Sequence, residues 1–477
     1  MFPFAIGWSS PAIATALTVL HVLLASVVTA NVLLKKSDVR SALGWIGTVW
    51  LAPIFGSLLY YMFGINRVTR RALRLGRLDD GQMRPFAPVA PSAEPNITQL
   101  SQVSERITQS PLTDGNKLTV LEGGDEAYPA MLAAISGAQK SVAMSSYVFR
   151  DDIAGREFAQ ILIAAADRGV QVRVLLDGVG VGYVWPNIYY RMRRGGLIAA
   201  RFLHTWVPWR MPFLNMRNHR KLLIVDGNLA FLGGINIGAE NSARLSGAGH
   251  IRDVHFRVEG PAVRVVMDAF ARDWSFTTDE NLNEDCWWPP LKPQGEAFAR
   301  GLRSGPDADI YKLELILGAA LSMAQTRVRI VTPYFLPDLR LQFAIHQASL
   351  RGVEVEIVLP AKSNQRLMDW AMRGHLRFFR HLHVQIIVTP PPFDHTKLCT
   401  IDGEWCLIGS SNWDARSFRL NFEFDLEIID RGLTGRLDAL IDARIAHGRR
   451  LSPDMLAAEP VWKRLRNAAA RLLMPYL

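Results

Sequence analysis

Hydrophobic and polar positions divide the chain into three regions. Residues 11–34 and 42–63 are two apolar runs, each long enough to cross a bilayer as a helix. Residues 79–116 are polar and rich in proline, which predicts a linker. Beyond Leu118, short apolar stretches typical of strands alternate with longer amphipathic stretches typical of helices. This alternation predicts an α/β architecture.

The helix and strand pattern is repeated within the α/β region. In both halves the order is helix, strand, helix, strand, and Arg168-Gly-Val-Gln-Val in the first half matches Arg351-Gly-Val-Glu-Val in the second. Whole structural units are therefore duplicated. The predicted elements are residues 127–138, 141–149, 155–168 and 170–177, and then residues 313–324, 327–335, 339–351 and 353–359.

A polar motif inside apolar runs is the most specific repeat. Each copy has a His-x-Lys, an Asp-Gly pair, a Gly and an Asn at identical spacing. Side chains two apart on a strand share a face, so each His and Lys project together. Asp-Gly between apolar runs predicts a tight hairpin turn, so the Asp residues are either turn formers or catalytic groups. The copies contain His219, Lys221, Asp226 and Asn236, and then His395, Lys397, Asp402 and Asn412.

The two copies together suit the chemistry of a phosphodiester. One imidazole can attack phosphorus and the other can protonate the leaving oxygen, while ammonium and amide groups stabilise the charge on the phosphoryl oxygens. The lysines would repel a divalent cation, and the motifs contain no carboxylate or cysteine cluster at ligand spacing. The sequence therefore predicts one active site built from two halves, with neither metal nor cofactor.

The duplicated motif resembles that of the phospholipase D superfamily. The segment around Trp45, Pro53 and Leu59-Tyr-Tyr-Met-Phe-Gly64 resembles the N-terminal membrane module of the bacterial cardiolipin synthase branch. The resemblance implies a two-step exchange through a phosphohistidine. It also implies that Asp253 and Glu423 accept hydrogen bonds from the catalytic imidazoles and fix their tautomers.

The fold class that follows is α/β, with two tandem phospholipase D-like domains around a pseudo-two-fold shared active site. We expect the domains to span residues 117–290 and 291–477. Residues 1–78 are expected to form a membrane anchor, a two-helix transmembrane hairpin, which the linker joins to the first domain.

Charge and composition narrow the expected partners. The 477 residues carry a formal charge of +10, which predicts an anionic membrane surface or nucleic acid as partner. Three cysteines are too few for a disulfide framework. Five arginines between residues 67 and 77, against Lys35, Lys36 and Arg40 between the apolar runs, favour a cytoplasmic catalytic portion. If both basic clusters lie on that side, the two runs instead form a re-entrant hairpin.

An aromatic and basic insertion at residues 183–213 precedes the first motif. It could bind acyl chains and head groups, stack nucleic acid bases, or simply pack. A basic amphipathic helix predicted at residues 462–473 either lies on the membrane or closes the second core.

The expected function is phosphatidyl transfer between two phosphatidylglycerol molecules in the bacterial inner membrane, giving cardiolipin and glycerol. Phosphatidylglycerol and other anionic phospholipids are the expected partners, and nucleic acid is not. His219 is predicted as the nucleophile and His395 as the general acid and base. The alternatives are phospholipid hydrolysis, transfer to another alcohol, and a nucleic acid phosphodiesterase, which the charge favours and the apolar runs disfavour. A non-catalytic membrane-binding module is a further alternative, against which the intact paired motifs argue.

Overall fold

The computed structural model describes residues 11–36, 39–64, 92–182, 187–204, 216–306, 309–379, 384–452, 454–455 and 458–474. The chain divides into two compact units, Met1–Arg71 and Ala72–Leu477. The arginine cluster between residues 67 and 77, and residues 183–186 and 205–213 of the aromatic insertion, lie outside the described residues.

The first unit contains one spanning-length helix among the described residues. Helix α1, Pro11–Lys35, is long and apolar enough to cross a membrane. The second apolar run, predicted as another spanning helix, is divided into α2, Val39–Leu51, α3, Phe55–Leu59, and a π-helical turn, Tyr60–Gly64. Helix α2 ends just before Pro53, which lacks an N–H, and Ile54 follows with φ of 60°. Among the described residues one helix of spanning length is found, so the predicted hairpin of two spanning helices is not confirmed.

Polar contacts show that the second run folds back along α1. The Ile54 N–H donates to His21 Nδ1 at 3.3 Å, and the Tyr60 hydroxyl donates to Asn31 Oδ1 at 2.9 Å. A Cβ on Gly56 would lie 2.3 Å from the Thr48 carbonyl oxygen, so α3 packs directly against α2. The second run therefore extends along α1 as far as His21, turns there, and returns toward Asn31.

The second unit is organised around one sixteen-stranded sheet of the described residues. The first half supplies β1 Thr113–Glu122, β2 Ser141–Ser146, β3 Gln171–Asp177, β4 Ile198–Phe202, β5 Arg217–Asn218, β6 Leu222–Val225, β7 Leu229–Gly233, β8 Ile251–Arg252 and β9 Val254–Glu259. The second half supplies β10 Ala297–Ser304, β11 Arg327–Val331, β12 Phe335–Leu336, β13 Glu354–Pro360, β14 Val384–Thr389, β15 Phe393–Asp394, β16 Leu398–Ile401, β17 Trp405–Gly409, β18 Trp413–Asp414, β19 Asn421–Ile429 and β20 Arg449–Arg450. Short strands β8 and β15 pair with each other outside the sheet, as do β12 and β18.

The strand order reads the same outward from the centre on both sides. Antiparallel strands β1 and β10 meet at the middle. The first half continues β9-β7-β6-β2-β3-β4, and the second continues β19-β17-β16-β11-β13-β14. Each of these strands thus has a counterpart at the same place in the other half, which gives the duplication a pseudo-two-fold axis between β1 and β10. Strand β20, which pairs with β14 at the edge of the second half, has no counterpart among the described residues of the first half.

Helices cover the sheet and close a core in each half. The Arg-Gly-Val repeat ends equivalent helices, where Gly169 and Gly352 both have φ of 90°. There the Arg168 and Arg351 guanidinium groups donate to carbonyls of the preceding helix. The helices are α4 Pro95–Thr108, α5 Gly123–Gly137, α6 Ile153–Asp167, α7 Ile188–Arg194, α8 Ala243–Ser246, α9 Val263–Thr278, α10 Lys312–Met323, α11 Leu339–Leu350, α12 Arg366–Leu376, α13 Ala415–Arg419, α14 Arg431–His447 and α15 Val461–Arg471.

Helix α15, in the predicted C-terminal amphipathic segment, packs on α12. A Cβ on Gly374 would lie 2.5 Å from the Asn467 carbonyl oxygen, and Ala470 is part of the second core. Trp462 and Leu465 on the same helix are exposed. The helix therefore closes the second core with one face and presents an apolar edge with the other.

Candidate active site

Each His-x-Lys segment is docked on a strand of the opposite half. Strand β5 runs parallel to the start of β19, and the His219 N–H donates to the Phe422 carbonyl at 2.9 Å. Strand β15 runs parallel to β8, and the His395 N–H donates to the Arg252 carbonyl at 2.7 Å. The backbone alone therefore brings both motifs to the boundary between the halves.

The imidazole and carboxylate side chains pair crosswise between the halves. His219 Nδ1 lies 2.8 Å from Glu423 Oε2, and His395 Nδ1 lies 2.8 Å from Asp253 Oδ2. All four residues are buried. With Nδ1–H donating to a carboxylate, each Nε2 carries a lone pair for chemistry. Each carboxylate thus fixes the tautomer of the histidine from the other copy.

Burial and charge compete over the pKa values of these carboxyls. Burial alone would raise the pKa of both. For Asp253 the Lys397 ammonium and the His395 imidazole outweigh burial and hold the pKa below its usual range. For Glu423 the His219 imidazole and Lys221 do the same. Both carboxyls are therefore ionised at neutral pH and attract positive charge to the site.

The two lysines are buried beside their histidines. Lys221 Nζ donates to the His219 carbonyl at 2.6 Å, and Lys397 Nζ donates to the His395 carbonyl. Burial lowers the pKa of Lys221 to about 7 and that of Lys397 to about 8. Burial also lowers the pKa of His219, and that of His395 to about 4. Without an anion in the site, both imidazoles are neutral at pH 7.

The two asparagines lie directly beyond β7 and β17. Asn236 Oδ1 accepts from the Val148 N–H at 3.2 Å. The Asn412 N–H donates to Ser417 Oγ at 3.2 Å. Asn412 Oδ1 is buried without a hydrogen-bond partner among the described residues. An unsatisfied buried amide oxygen is costly, so it marks a place where a donor from a ligand or water would fit.

Asp226 and Asp402 lie in the hairpin turns, away from the imidazoles. Their φ angles are 51° and 53°, and Gly227 and Gly403 follow with 65° and 69°, as a type I′ turn requires. Their carboxylates accept from backbone N–H groups at the starts of β2 and β11, including those of Ser141 and Arg327. Strands β6 and β16 separate them from the histidines. This geometry corrects their inclusion among the catalytic groups, and the contacts fit the turn-forming alternative.

Some site residues were missed by the sequence reasoning. Ser410 Oγ donates to Glu423 Oε2 at 2.6 Å, whereas Gly234 stands at the equivalent place beside Asp253. A Cβ on Gly234 would lie 2.3 Å from Asp253 Oδ1, so a side chain at this position would collide with the carboxylate. The first copy therefore has Gly-Gly where the second has Gly-Ser. The Tyr147 ring lies 4.9 Å from that of His219, between centroids. Its position depends on the fold, and no spacing in the sequence signals it.

Buried ion pairs anchor the residues that flank each histidine, with reversed charge in the two copies. In the first copy, Arg220 Nη1 donates to Asp273 Oδ1 on α9 at 2.7 Å. In the second, Asp394 Oδ2 accepts from Arg444 Nε on α14 at 2.8 Å. The residue after the histidine supplies the cation in the first half, and the residue before the histidine supplies the anion in the second. Charge at these positions was therefore not recognisable as part of the repeat.

Metal-binding clusters are absent from the described part of the chain. No group of three or more His, Cys, Asp or Glu side chains is placed to hold an ion there. The lysines of the two motifs are buried cations directly beside the imidazoles.

A double-histidine site on a duplicated α/β sheet is a phospholipase D-like arrangement. The solved structure of phosphatidylserine synthase from Haemophilus influenzae Rd KW20 shares this fold, with a TM-score of 0.61, 14% identity, and coverage of 80% of this chain and 100% of that one. The family model described as "Cardiolipin synthase, PLD-like domain" matches residues 131–274 and 317–445. The chain belongs to this family.

Three further similarities extend beyond the two halves of the α/β unit. The model described as "Phospholipase_D-nuclease N-terminal" matches residues 16–64. A cardiolipin synthase from Geobacillus kaustophilus is 29% identical over 456 residues, covering 93% of this chain and 90% of its own. One from Listeria innocua is 27% identical over 479 residues, covering 97% and 98%. The likeness thus includes the N-terminal unit.

Proposed function

We propose that the chain is a phosphatidyltransferase that joins two phosphatidylglycerol molecules into cardiolipin and releases glycerol. Family membership and the near full-length similarity to cardiolipin synthases support it. The observation that carries the mechanism is the crosswise pairing of His219 with Glu423 and of His395 with Asp253. Two oriented imidazoles in one buried site suit a displacement at phosphorus in two steps.

In the first step His219 Nε2 attacks the phosphorus of one phosphatidylglycerol. The N–P bond forms as the bond from phosphorus to the glycerol oxygen breaks, and His395 gives that oxygen a proton. Lys221 and Lys397 stabilise the negative charge on the phosphoryl oxygens. Glycerol leaves, and the phosphatidyl group remains on His219.

In the second step a glycerol hydroxyl of another phosphatidylglycerol attacks the same phosphorus. Neutral His395 accepts the hydroxyl proton, the O–P bond forms, and the N–P bond to His219 breaks. Cardiolipin is released and both imidazoles return to their first state. Water in place of the lipid hydroxyl would give phosphatidic acid, so the second step decides between transfer and hydrolysis.

Substrate binding prepares His395 for its role as an acid. In the empty site its pKa is lowered to about 4 by burial and by the Lys397 ammonium. A phosphodiester anion between the two imidazoles offsets the positive charge of the lysines and favours the imidazolium. The proton needed by the leaving glycerol is therefore taken up when the lipid binds.

The direct test is incubation of the purified protein with phosphatidylglycerol alone, in a buffer containing EDTA. We expect cardiolipin and glycerol in equal amounts, because the lysines take the place of a metal ion. Phosphatidic acid as the dominant lipid product at every surface concentration of substrate would favour a hydrolase. Activity that returns only after a divalent ion is added would contradict the role given to the lysines.

For the membrane unit we propose one spanning helix, α1, followed by a re-entrant hairpin formed by α2 and α3. The Ile54 N–H at the tip contacts His21 near the middle of α1, and Tyr60 on the return contacts Asn31. Asn31 lies about 6 Å from Lys35 along the helix, at 1.5 Å per residue. The chain then leaves the inner membrane on the face where Lys35 and Lys36 lie, which the positive-inside rule makes cytoplasmic.

Labelling with a membrane-impermeant maleimide tests this topology. Single cysteines replace Pro11, Lys36 or Arg67 in a background that lacks the native cysteines. In oriented inner-membrane vesicles, Lys36→Cys and Arg67→Cys should react from the same side and Pro11→Cys from the other. Reaction of the cysteines at positions 36 and 67 from opposite sides would show that the second run spans the membrane.

A further inference from the structure

A cleft of about 260 Å³ lies beside His395, at the boundary between the halves. The first half contributes the loop at residues 248–250. The second half contributes residues 360–364, which follow β13, and residues 391–393, which directly precede the His-x-Lys segment. The pairing of β8 with β15 holds these two walls together.

The cleft shares side chains with the surroundings of His395. The Phe393 ring lies 6.0 Å from the His395 ring, and the Tyr334 ring lies 6.4 Å from it, between centroids. The Tyr334 hydroxyl donates to Asn364 Oδ1 at 2.6 Å, and Phe393 and Asn364 both line the cleft. A molecule in the cleft would therefore be next to the imidazole that handles the glycerol oxygen.

The described residues lining the cleft offer hydrogen-bond donors and a cation, and none of them is acidic. Because Asn364 Oδ1 accepts from Tyr334, its Nδ2 group remains to donate. Lys362 adds an exposed ammonium at the same rim, next to the Ser363 hydroxyl, which donates to Asn364 Oδ1 at 3.5 Å. A cation with neighbouring neutral donors suits a phosphate, because charge-assisted hydrogen bonds to phosphate oxygens are strong.

We propose that this cleft binds the phosphate of the acceptor phosphatidylglycerol. The leaving glycerol and the incoming glycerol hydroxyl both exchange a proton with His395, so they occupy the same place in turn. The lipid acceptor differs from free glycerol in that its glycerol group is attached to the phosphate of a phospholipid. A phosphate site next to His395 therefore selects a lipid acceptor over free glycerol. This inference rests on the proposed function.

Competition between the two acceptors tests it in one reaction. The full-length protein is given phosphatidylglycerol and radiolabelled glycerol, and both cardiolipin and labelled phosphatidylglycerol are measured. We expect Lys362→Ala to lower the ratio of cardiolipin to glycerol exchange by about ten-fold, as loss of a charged hydrogen bond implies. Lys362→Glu should lower it further. Asn364→Asp should also lower it, because the new charge repels phosphate while an acceptor for Tyr334 is kept.

Arg366→Ala is the matched control, since Arg366 is an exposed cation four residues from Lys362 and does not line the cleft. Its ratio should equal that of the wild type. An unchanged ratio in the Lys362 variants, even with both rates reduced, would overturn the proposal, as would an equal fall in the control. If the wild type exchanges glycerol but makes no cardiolipin, the proposed function fails instead.

Discussion

At the scale of single residues, burial and neighbouring charges determine the protonation state of each ionisable group in the site. Burial lowers the pKa values of the lysines and keeps the imidazoles neutral. The carboxylates stay ionised because each faces an imidazole and a lysine. In the proposed mechanism, histidine and lysine therefore serve as nucleophile, acid and charge stabiliser. Their roles depend on position, which variants of each residue can separate.

The two histidines should differ with a substrate that has a good leaving group. Such a group departs without a proton, so His395→Asn should still form a covalent phosphatidyl adduct, while His219→Asn should form none. With phosphatidylglycerol, either variant should lose nearly all turnover. The adduct is measured as acid-labile, base-stable label on the protein. Label on His219→Asn and none on His395→Asn would reverse the roles.

The pH dependence should follow the lysines on its alkaline side. Lys221 must carry its proton to stabilise the phosphoryl oxygens, so kcat/KM should fall more steeply as pH rises through about 7 to 8, where Lys221 and Lys397 lose their protons. This fall adds to the shallower one expected at lower pH, because His395 takes its proton from solution when the lipid binds. On the acid side it should fall once the His219 nucleophile is protonated, below the usual histidine range. In Lys221→Arg, the alkaline limb should move upward, since arginine keeps its proton. An unmoved limb would exclude Lys221 as its origin.

At the scale of elements, the sequence predicted what depends on local pattern. The Asp-Gly hairpins after His219 and His395 and the Arg-Gly helix ends were recognisable because turn chemistry is local. The division of the second apolar run was not predicted. An apolar run indicates that a segment partitions into lipid, but it does not indicate where the chain turns. Asp226 remained ambiguous because a turn former and a catalytic carboxylate look alike until their partners are known.

The anchoring ion pair on α9 should contribute strongly to stability. Asp273→Asn leaves the Arg220 guanidinium buried with less compensation, which should cost about 3 kcal/mol of unfolding free energy. Asp268→Asn on the same helix breaks more exposed pairs with Arg272 and Arg303, and should cost about 1 kcal/mol or less. Denaturant unfolding in detergent measures both. Equal costs would contradict a special role for the buried pair.

At the scale of the whole molecule, the two halves form one sheet and one site. Strands β1 and β10 join the sheets at the centre, and each motif lies on a strand of the opposite half. The sequence indicated two halves around one site, because a repeated motif implies convergence. It did not show which carboxylate serves which histidine, since that depends on how β5 and β15 dock after the halves are joined.

This crosswise arrangement predicts which carboxylate variant slows adduct formation, and pairing within each half would predict the opposite variant. Glu423 positions His219, so Glu423→Gln should slow adduct formation even with a good leaving group, because the nucleophile loses its tautomer control. Asp253 positions His395, so Asp253→Asn should slow turnover of phosphatidylglycerol by a similar factor but leave adduct formation from the activated substrate nearly intact. Single-turnover labelling with both substrates measures the difference. If Asp253→Asn proves to be the variant that blocks adduct formation, each histidine is served by a carboxylate of its own half, or the two histidines have exchanged roles. The histidine variants tested with the same activated substrate then decide between these two explanations.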